Sequence, residues 1–120
     1  MAVDFTELRV WQIAHKLTID IYLLTKKFPK EEIYGLISQL RRAAVSVEAN
    51  IAESHGRFHS ADIVRFLLDS RGSIYEVQSL LMISQDVGYC TSRSTDVLLK
   101  QYSDLAKQVN SLIRYKRNNN

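Results

Sequence analysis

Helix breakers and crosslinkers are nearly absent from this chain: its 120 residues contain one proline, four glycines and one cysteine. So little turn-forming material excludes the many-turned sandwiches and barrels and favours a few long helices. The single Cys90 excludes an internal disulfide and a cysteine-built zinc site, and a lone thiol suits the reducing cytoplasm. Apolar runs are short as well. The longest, Ile21–Leu24 and Leu80–Ile83, are four residues each, so neither a membrane span nor a signal peptide is expected. Charge of one sign is not in marked excess, because 16 Lys and Arg face 13 Asp and Glu and leave +3. Any basic binding surface therefore has to arise by clustering rather than by composition. What the chain does have is a globular balance, 46% apolar and 24% charged, enough to build one domain with a real core.

Three breaks, at Lys27–Lys30, His55–His59 and Val87–Cys90, cut residues 1–120 into four segments. Helices are predicted over 7–26, 31–54, 60–86 and 94–115. Each has apolar residues spaced alternately four and three apart, the period of a bundle seam. The first seam is Val10, Ala14, Leu17, Ile21, Leu24 and Phe28; the second is Ile33, Ile37, Leu40, Ala44, Val47 and Ile51. The third is Ile63, Leu67, Ser70, Ile74, Val77 and Leu81; the fourth is Leu98, Tyr102, Leu105, Val109 and Leu112. Asp4 or Thr6 is expected to cap the first helix and Ser60 the third. Arg65–Asp69, Asp96–Lys100 and Lys100–Asp104 are spaced as surface pairs. Gly72, a helix-weakening residue, suggests a close helix contact. Short connectors make neighbouring helices antiparallel, so the predicted fold class is all-α: an antiparallel up-down-up-down four-helix bundle.

One seam per helix does not use up all the apolar residues. Val64, Leu68, Tyr75 and Met82 form a second stripe on the third helix, and Val45, Ala49 and Ala52 lie opposite the seam of the second. Monomers seldom expose such stripes, so self-association through these residues is expected. A polar stripe also lies beside the seam of the second helix: Gln39, Arg42, Ser46, Asn50 and Glu53. Asp69, Ser73 and Glu76 lie together on the third helix. Ser and Asn are poor helix formers, so a partly buried network is expected, with Arg42 paired to Glu76 or Asp69. A solvated face is the plainer alternative.

Several segments stand together in family order: Phe5–Gln12, Phe28-Pro29, Glu32–Leu36, Gln39–Ser46, Ala49–Glu53, Phe66-Leu67 and Gly72–Glu76. In them the chain resembles the bacterial four-helix proteins named after the intervening sequences of 23S ribosomal RNA genes, and the similarity runs from Phe5 to about Tyr115. A related branch is the accessory variability determinant protein of diversity-generating retroelements. The resemblance implies a barrel-like homopentamer and, through the retroelement branch, nucleic-acid binding and a reverse-transcriptase partner. It supplies no catalytic residue and no firmly assigned activity. In the family a glycine usually follows the Ala-Glu pair; here Ser54 stands there, with Gly56 two residues on, which leaves the end of the second helix open.

Catalytic chemistry finds little purchase. His55 and His59 have the spacing of a helical metal pair, but Gly56 lies between them and no third ligand is identifiable, so no metal or cofactor is expected. Phosphate-binding glycine motifs are absent. Basic residues cluster modestly at Arg114, Lys116 and Arg117, with Arg9 and Lys16 expected near the same end of the bundle. No interleaved aromatic and basic motif for base stacking is visible along the chain. The expected function is thus a non-enzymatic, cytoplasmic oligomer, most naturally a pentamer, that contacts RNA or DNA backbones through clusters repeated around a ring. The alternative is an oligomeric scaffold or adaptor for a protein partner without nucleic acid. A small hydrolase using the polar stripe is the third reading.

Overall fold

The computed structural model describes residues 3–119, which form four helices and two 3-10 turns and, among the described residues, no strand. Helix α1 spans Arg9–Thr25, α2 Leu36–His55, α3 Ser60–Asp86 and α4 Ser92–Asn118. The 3-10 turns are Asp4–Glu7 before α1 and Lys30–Glu32 before α2. Each helix packs on its neighbours in the cycle α1–α2–α3–α4–α1, and the diagonal pairs do not meet. The result is the antiparallel bundle, elongated to 46 × 28 × 21 Å.

The four seams account for the core. Ala14, Leu17, Ile21, Leu40, Ala44, Val47, Ile51, Leu67, Ile74, Val77, Leu81, Tyr102, Leu105 and Val109 are all essentially shut off from water. Burying a side chain of this size is worth about 1.5–3 kcal/mol, so this seam dominates the stability. Four expected seam members differ, of which Leu24 and Ile63 are only partly covered. Ile33 is exposed, because Glu31 and Glu32 end in a 3-10 turn instead of opening α2. On α4 the inward position near the end is Ile113, with Leu112 only partly covered.

Buried Ser and Thr hydroxyls inside the bundle are satisfied mainly by backbone carbonyls. The Thr18 hydroxyl donates to Ala14 O at 2.9 Å and reaches Ala44 O of α2 at 3.2 Å. Ser70 of α3 donates to Val47 O of α2 at 2.8 Å. Arg41 Nε donates to Thr25 Oγ1 at 2.9 Å, and its guanidinium lies 4.6 Å from the Tyr22 ring centroid. On the far side of α3, Arg71 donates to Asn110 Oδ1 at 2.8 Å and Gln78 to Ser103 Oγ at 2.9 Å. Between α1 and α4 no such bond exists among the described residues. That seam is apolar and opens into clefts of about 500, 380 and 430 Å³ along its length.

Helix ends follow local chemistry that the sequence only partly discloses. No side chain caps α1, whose N-cap is Leu8; Thr6 instead donates to Val3 O at 2.6 Å. Ser60 is the first residue of α3 rather than its cap. Thr91 caps α4, its Oγ1 accepting from Ser94 N at 3.2 Å. Helix α2 starts at Leu36 because the Glu32 carboxylate accepts from Leu36 N at 3.1 Å. The same carboxylate accepts from the Tyr89 hydroxyl at 2.9 Å, and Tyr89 packs on Phe28 with ring centroids 5.5 Å apart. One acidic side chain therefore caps α2 and ties the α1–α2 connection to the α3–α4 loop. Gly35 is needed beside it, since a Cβ there would collide with Glu32 Oε1. Gly88 ends α3 in the left-handed region, at φ 87°, with Tyr89 N bonded back to Ser84 O at 2.9 Å. At the close of α2, Ser54 is buried and donates to Ile51 O at 2.6 Å, so the helix runs on to His55.

Among the expected surface pairs, Lys100–Asp104 forms at 3.3 Å, Asp96 takes no part, and Arg65 approaches Asp62 at 4.0 Å rather than Asp69. Side-chain directions on these exposed helices decide such pairs, and each is worth only a few tenths of a kcal/mol. Gly72 faces open space: a Cβ added there would meet nothing within 4 Å, so no helix contact within the chain requires the glycine.

Glu32 and Tyr102 each carry a stability prediction. Glu32→Ala removes both a helix cap and the Tyr89 anchor, and should lower stability by about 1–2 kcal/mol in a thermal melt. Tyr102 is fully buried and its hydroxyl has no hydrogen-bond partner. Burial, with smaller effects from the Asp20 and Glu48 charges, raises its pKa. Hydrogen bonding to Glu32, then burial, raises that of Tyr89 as well. A raised phenol pKa means stability is complete below the unfolded value of about 10 and is lost as pH climbs past it. Tyr102→Phe should therefore raise the melting temperature at neutral pH, by about 1 kcal/mol equivalent, and unfold at a higher alkaline pH than the parent.

Candidate nucleic-acid interface

The antiparallel course brings the start of α1, the α2–α3 connection and the end of α4 to one pole of the bundle. Arg9 and Tyr115 line the same cleft of about 430 Å³ at the end of the α1–α4 seam. Phe58, His59 and Lys116 line a neighbouring open cleft of about 690 Å³. Lys116 joins the two, because its ammonium also lies 5.7 Å from the Tyr115 ring centroid. A strip runs across the pole in the order Phe58, His59, Lys116, Tyr115, Arg9. Phe58 is 92% exposed and Tyr115 59% exposed. The Phe58 and His59 rings stand edge to face, 5.3 Å apart at 89°.

The local sequence explains this exposure. Phe58 sits in the short connection between His55, the last residue of α2, and Ser60, the first of α3, where no helix covers it. Tyr115 lies on the last turns of α4, three residues from the end of the helix, and is only partly covered. Nearby, Arg57 and Arg65 lie 4.6 and 4.5 Å from the Phe66 ring centroid, and both meet acids: Arg57 binds Glu53 at 2.7 Å. Arg9, Arg114, Lys116 and Arg117 form no ion pair among the described residues; Arg114 donates only to Ser111 Oγ, at 3.2 Å. Asp4 and Glu7 in the first 3-10 turn, with Glu53 near the end of α2 and Asp62 in the first turn of α3, are the acidic counterweight at this pole.

The candidate basic residues thus divide. Arg9, Arg114, Lys116 and Arg117 gather at the pole. Lys16 does not join them, because it lies two turns along α1 and binds Asp20 at 2.7 Å. Phe58, His59 and Tyr115 escape sequence reasoning, because they become neighbours of the basic residues only through the fold.

The polar stripe is partly a correction. Ser46, Asn50 and Ser73 do meet between α2 and α3: Ser73 Oγ donates to Ser46 Oγ at 2.9 Å, and Asn50 Nδ2 to Ser46 O at 2.9 Å. Gln39, Arg42, Glu53, Asp69 and Glu76 are exposed. Arg42, Asp69 and Glu76 form no ion pair among the described residues. The stripe winds roughly 80° around α2, and only its edge nearest the seam reaches α3.

The apolar stripes also sort themselves. Val64 is buried in the core and is not available to a partner, since α4 covers that side of α3. Leu68 is half-buried against the core, while Tyr75 and Met82 are 51% and 55% exposed. Leu68, Tyr75 and Met82 share one ridge with Arg71 and Gln78, the two residues bonded to α4. Val45 is exposed and Ala52 partly so, and both share a ridge with Arg41 and Glu48, which bond to α1. Ala49 is exposed beside them. One apolar surface therefore borders the α1–α2 seam and the other the α3–α4 seam, on opposite sides of the bundle.

His55 and His59 are both exposed, and no group of three or more His, Cys, Asp or Glu that could hold a metal occurs among the described residues. Cys90 is half-buried, its Sγ 3.3 Å from Thr95 Oγ1. No helix of the described residues is long and apolar enough to cross a membrane.

Comparison with known proteins agrees with this architecture. A crystal structure at 1.70 Å of a protein of unknown function from the S23 ribosomal protein family of Bacteroides thetaiotaomicron is similar, with a TM-score of 0.81 and 21% identity. The match covers 88% of this chain and 95% of that one. No curated protein matches the sequence. The family model described as 23S rRNA-intervening sequence protein matches residues 6–111, nearly the whole bundle, and the chain belongs to that family.

Proposed function

We propose that this protein is a non-enzymatic, cytoplasmic homo-oligomer that holds RNA or DNA by its phosphate backbone at the pole of each subunit. The observation that carries the reading is the gathering of Arg9, Arg114, Lys116 and Arg117, free of ion pairs among the described residues, at one end of the bundle. Lys and Arg on phosphates release condensed counterions, which gives affinity with little sequence preference. One subunit at +3 is a weak binder; repetition of the pole in an assembly multiplies weak contacts.

The apolar surfaces favour a head-to-tail assembly, of which a ring is the closed form. Because the α1–α2 ridge and the α3–α4 ridge differ, a contact between them is head to tail, and such contacts close into rings or run on as filaments. The number five comes from the family resemblance. Two ridges with alternating apolar and hydrogen-bonding residues are what a subunit contact of this kind would use.

A competing reading, an oligomeric scaffold that docks a protein partner, draws on the open apolar groove between α1 and α4. Salt separates the two. Fluorescence titration of a labelled RNA at low salt should show binding whose logarithm falls linearly with the logarithm of salt concentration. Replacing Arg114, Lys116 and Arg117 together by Gln should flatten that slope without altering the mass of the assembly. No binding at low salt by folded, assembled protein would leave the scaffold.

Assembly is tested independently by light scattering. Tyr75→Glu and Val45→Glu, on opposite ridges, should each give a smaller species than the parent while the far-ultraviolet circular dichroism stays helical. A parent mass of one subunit at micromolar concentration rejects the ring.

A further inference from the structure

The strip across the pole contains more than charge. Backbone binding to a duplex needs only cations and gives Phe58 no part. A phenyl ring 92% open to water stands on a connection of four residues, beside a cleft that Lys116 also lines. Its neighbours alternate in kind: aromatic Phe58 and His59, cationic Lys116, aromatic Tyr115, cationic Arg9. That alternation matches a strand whose bases are unpaired, in which flat faces and phosphates follow one another at each nucleotide. A duplex hides its base faces in the stack and presents only phosphates and groove edges.

We infer that the pole takes single-stranded nucleic acid, with Phe58 and Tyr115 stacking on unpaired bases, Lys116 contacting the phosphates between them and Arg9 those beyond Tyr115. The inference rests on the nucleic-acid reading above and adds to it the class of strand. The two aromatic residues have different supports. Phe58 is held by the short connection and by the edge of His59; Tyr115 is carried on a helix.

The test compares two probes of equal length, a 20-nucleotide oligo(U) and a 20-base-pair RNA duplex, on the assembled protein at low salt. The single strand should bind more tightly. Phe58→Ala and Tyr115→Ala should each weaken oligo(U) by about tenfold, since stacking of one base on an aromatic side chain is of that size. Neither should change duplex binding or the salt slope by more than a small factor. Phe58→Tyr should restore oligo(U) affinity, because it keeps the ring. Equal binding of strand and duplex, unaffected by Phe58→Ala, overturns the inference and leaves backbone binding standing. Binding of neither probe removes both readings. Loss of assembled mass in Phe58→Ala, seen by light scattering, shows that the ring belongs to a subunit contact and overturns the inference too.

Discussion

The close fit of α2 between α1 and α3 is the constraint on which the remaining geometry depends. Ala43 and Ala44 are buried on α2, and small side chains there let the neighbouring backbones approach. Only at that separation can the Thr18 and Ser70 hydroxyls reach the carbonyls of Ala44 and Val47. The Ser70 hydroxyl, buried there without such an acceptor, would cost about 1–3 kcal/mol, so its bond fixes the register of α3 on α2, while Thr18 also has Ala14 O of its own helix. Arg41, lying on Thr25 and Tyr22, then closes the α1–α2 groove from outside. Once α2 is fixed, α4 is placed by Arg71 and Gln78 from α3.

This register decides what the outside of the bundle looks like. The residues that bond to a neighbour, such as Arg41 and Glu48 or Arg71 and Gln78, leave the intervening turns of the same ridge to apolar side chains. Val45, Tyr75 and Met82 are therefore external because of how the inside is packed. The same register brings the tips of α1 and α4 and the α2–α3 connection into one surface. Charge and aromatic rings spread thinly along the chain become dense there.

Much of the interior was legible in the sequence, because a 4-3 apolar period has only one reading as a long helix. The four seams and their breaks at Pro29, Gly56 and Gly88 correspond to the observed elements. Boundaries were less legible where a side chain acts at a distance: Glu32 ends one turn and begins a helix, and nothing in the local pattern separates it from Glu31. Val64 lies at the border of two stripes, and helical winding alone cannot say whether α4 covers it. The polar stripe failed for the same reason, since Ser46 meets Ser73 of α3 and Asn50 bonds back to Ser46, while Arg42, on the same stripe, is exposed. The pole strip could not be read at all before folding. Its members stand at 9, 58–59 and 115–116, and a motif search along the chain has no way to join them.

The seam between α1 and α4, held without a single directional bond among the described residues, gives the bundle an order of assembly. During synthesis α1 leaves the ribosome first and can pair at once with α2, then α2 with α3, each pairing fixed by hydroxyl or guanidinium contacts. The exposed flank of α1 has to wait for the last helix, which is the longest-range closure in the chain. A seam without directional bonds leaves the register of α4 to apolar packing and to its bonds with α3. Until α4 is in place, the flank of α1 that it covers stays open to water.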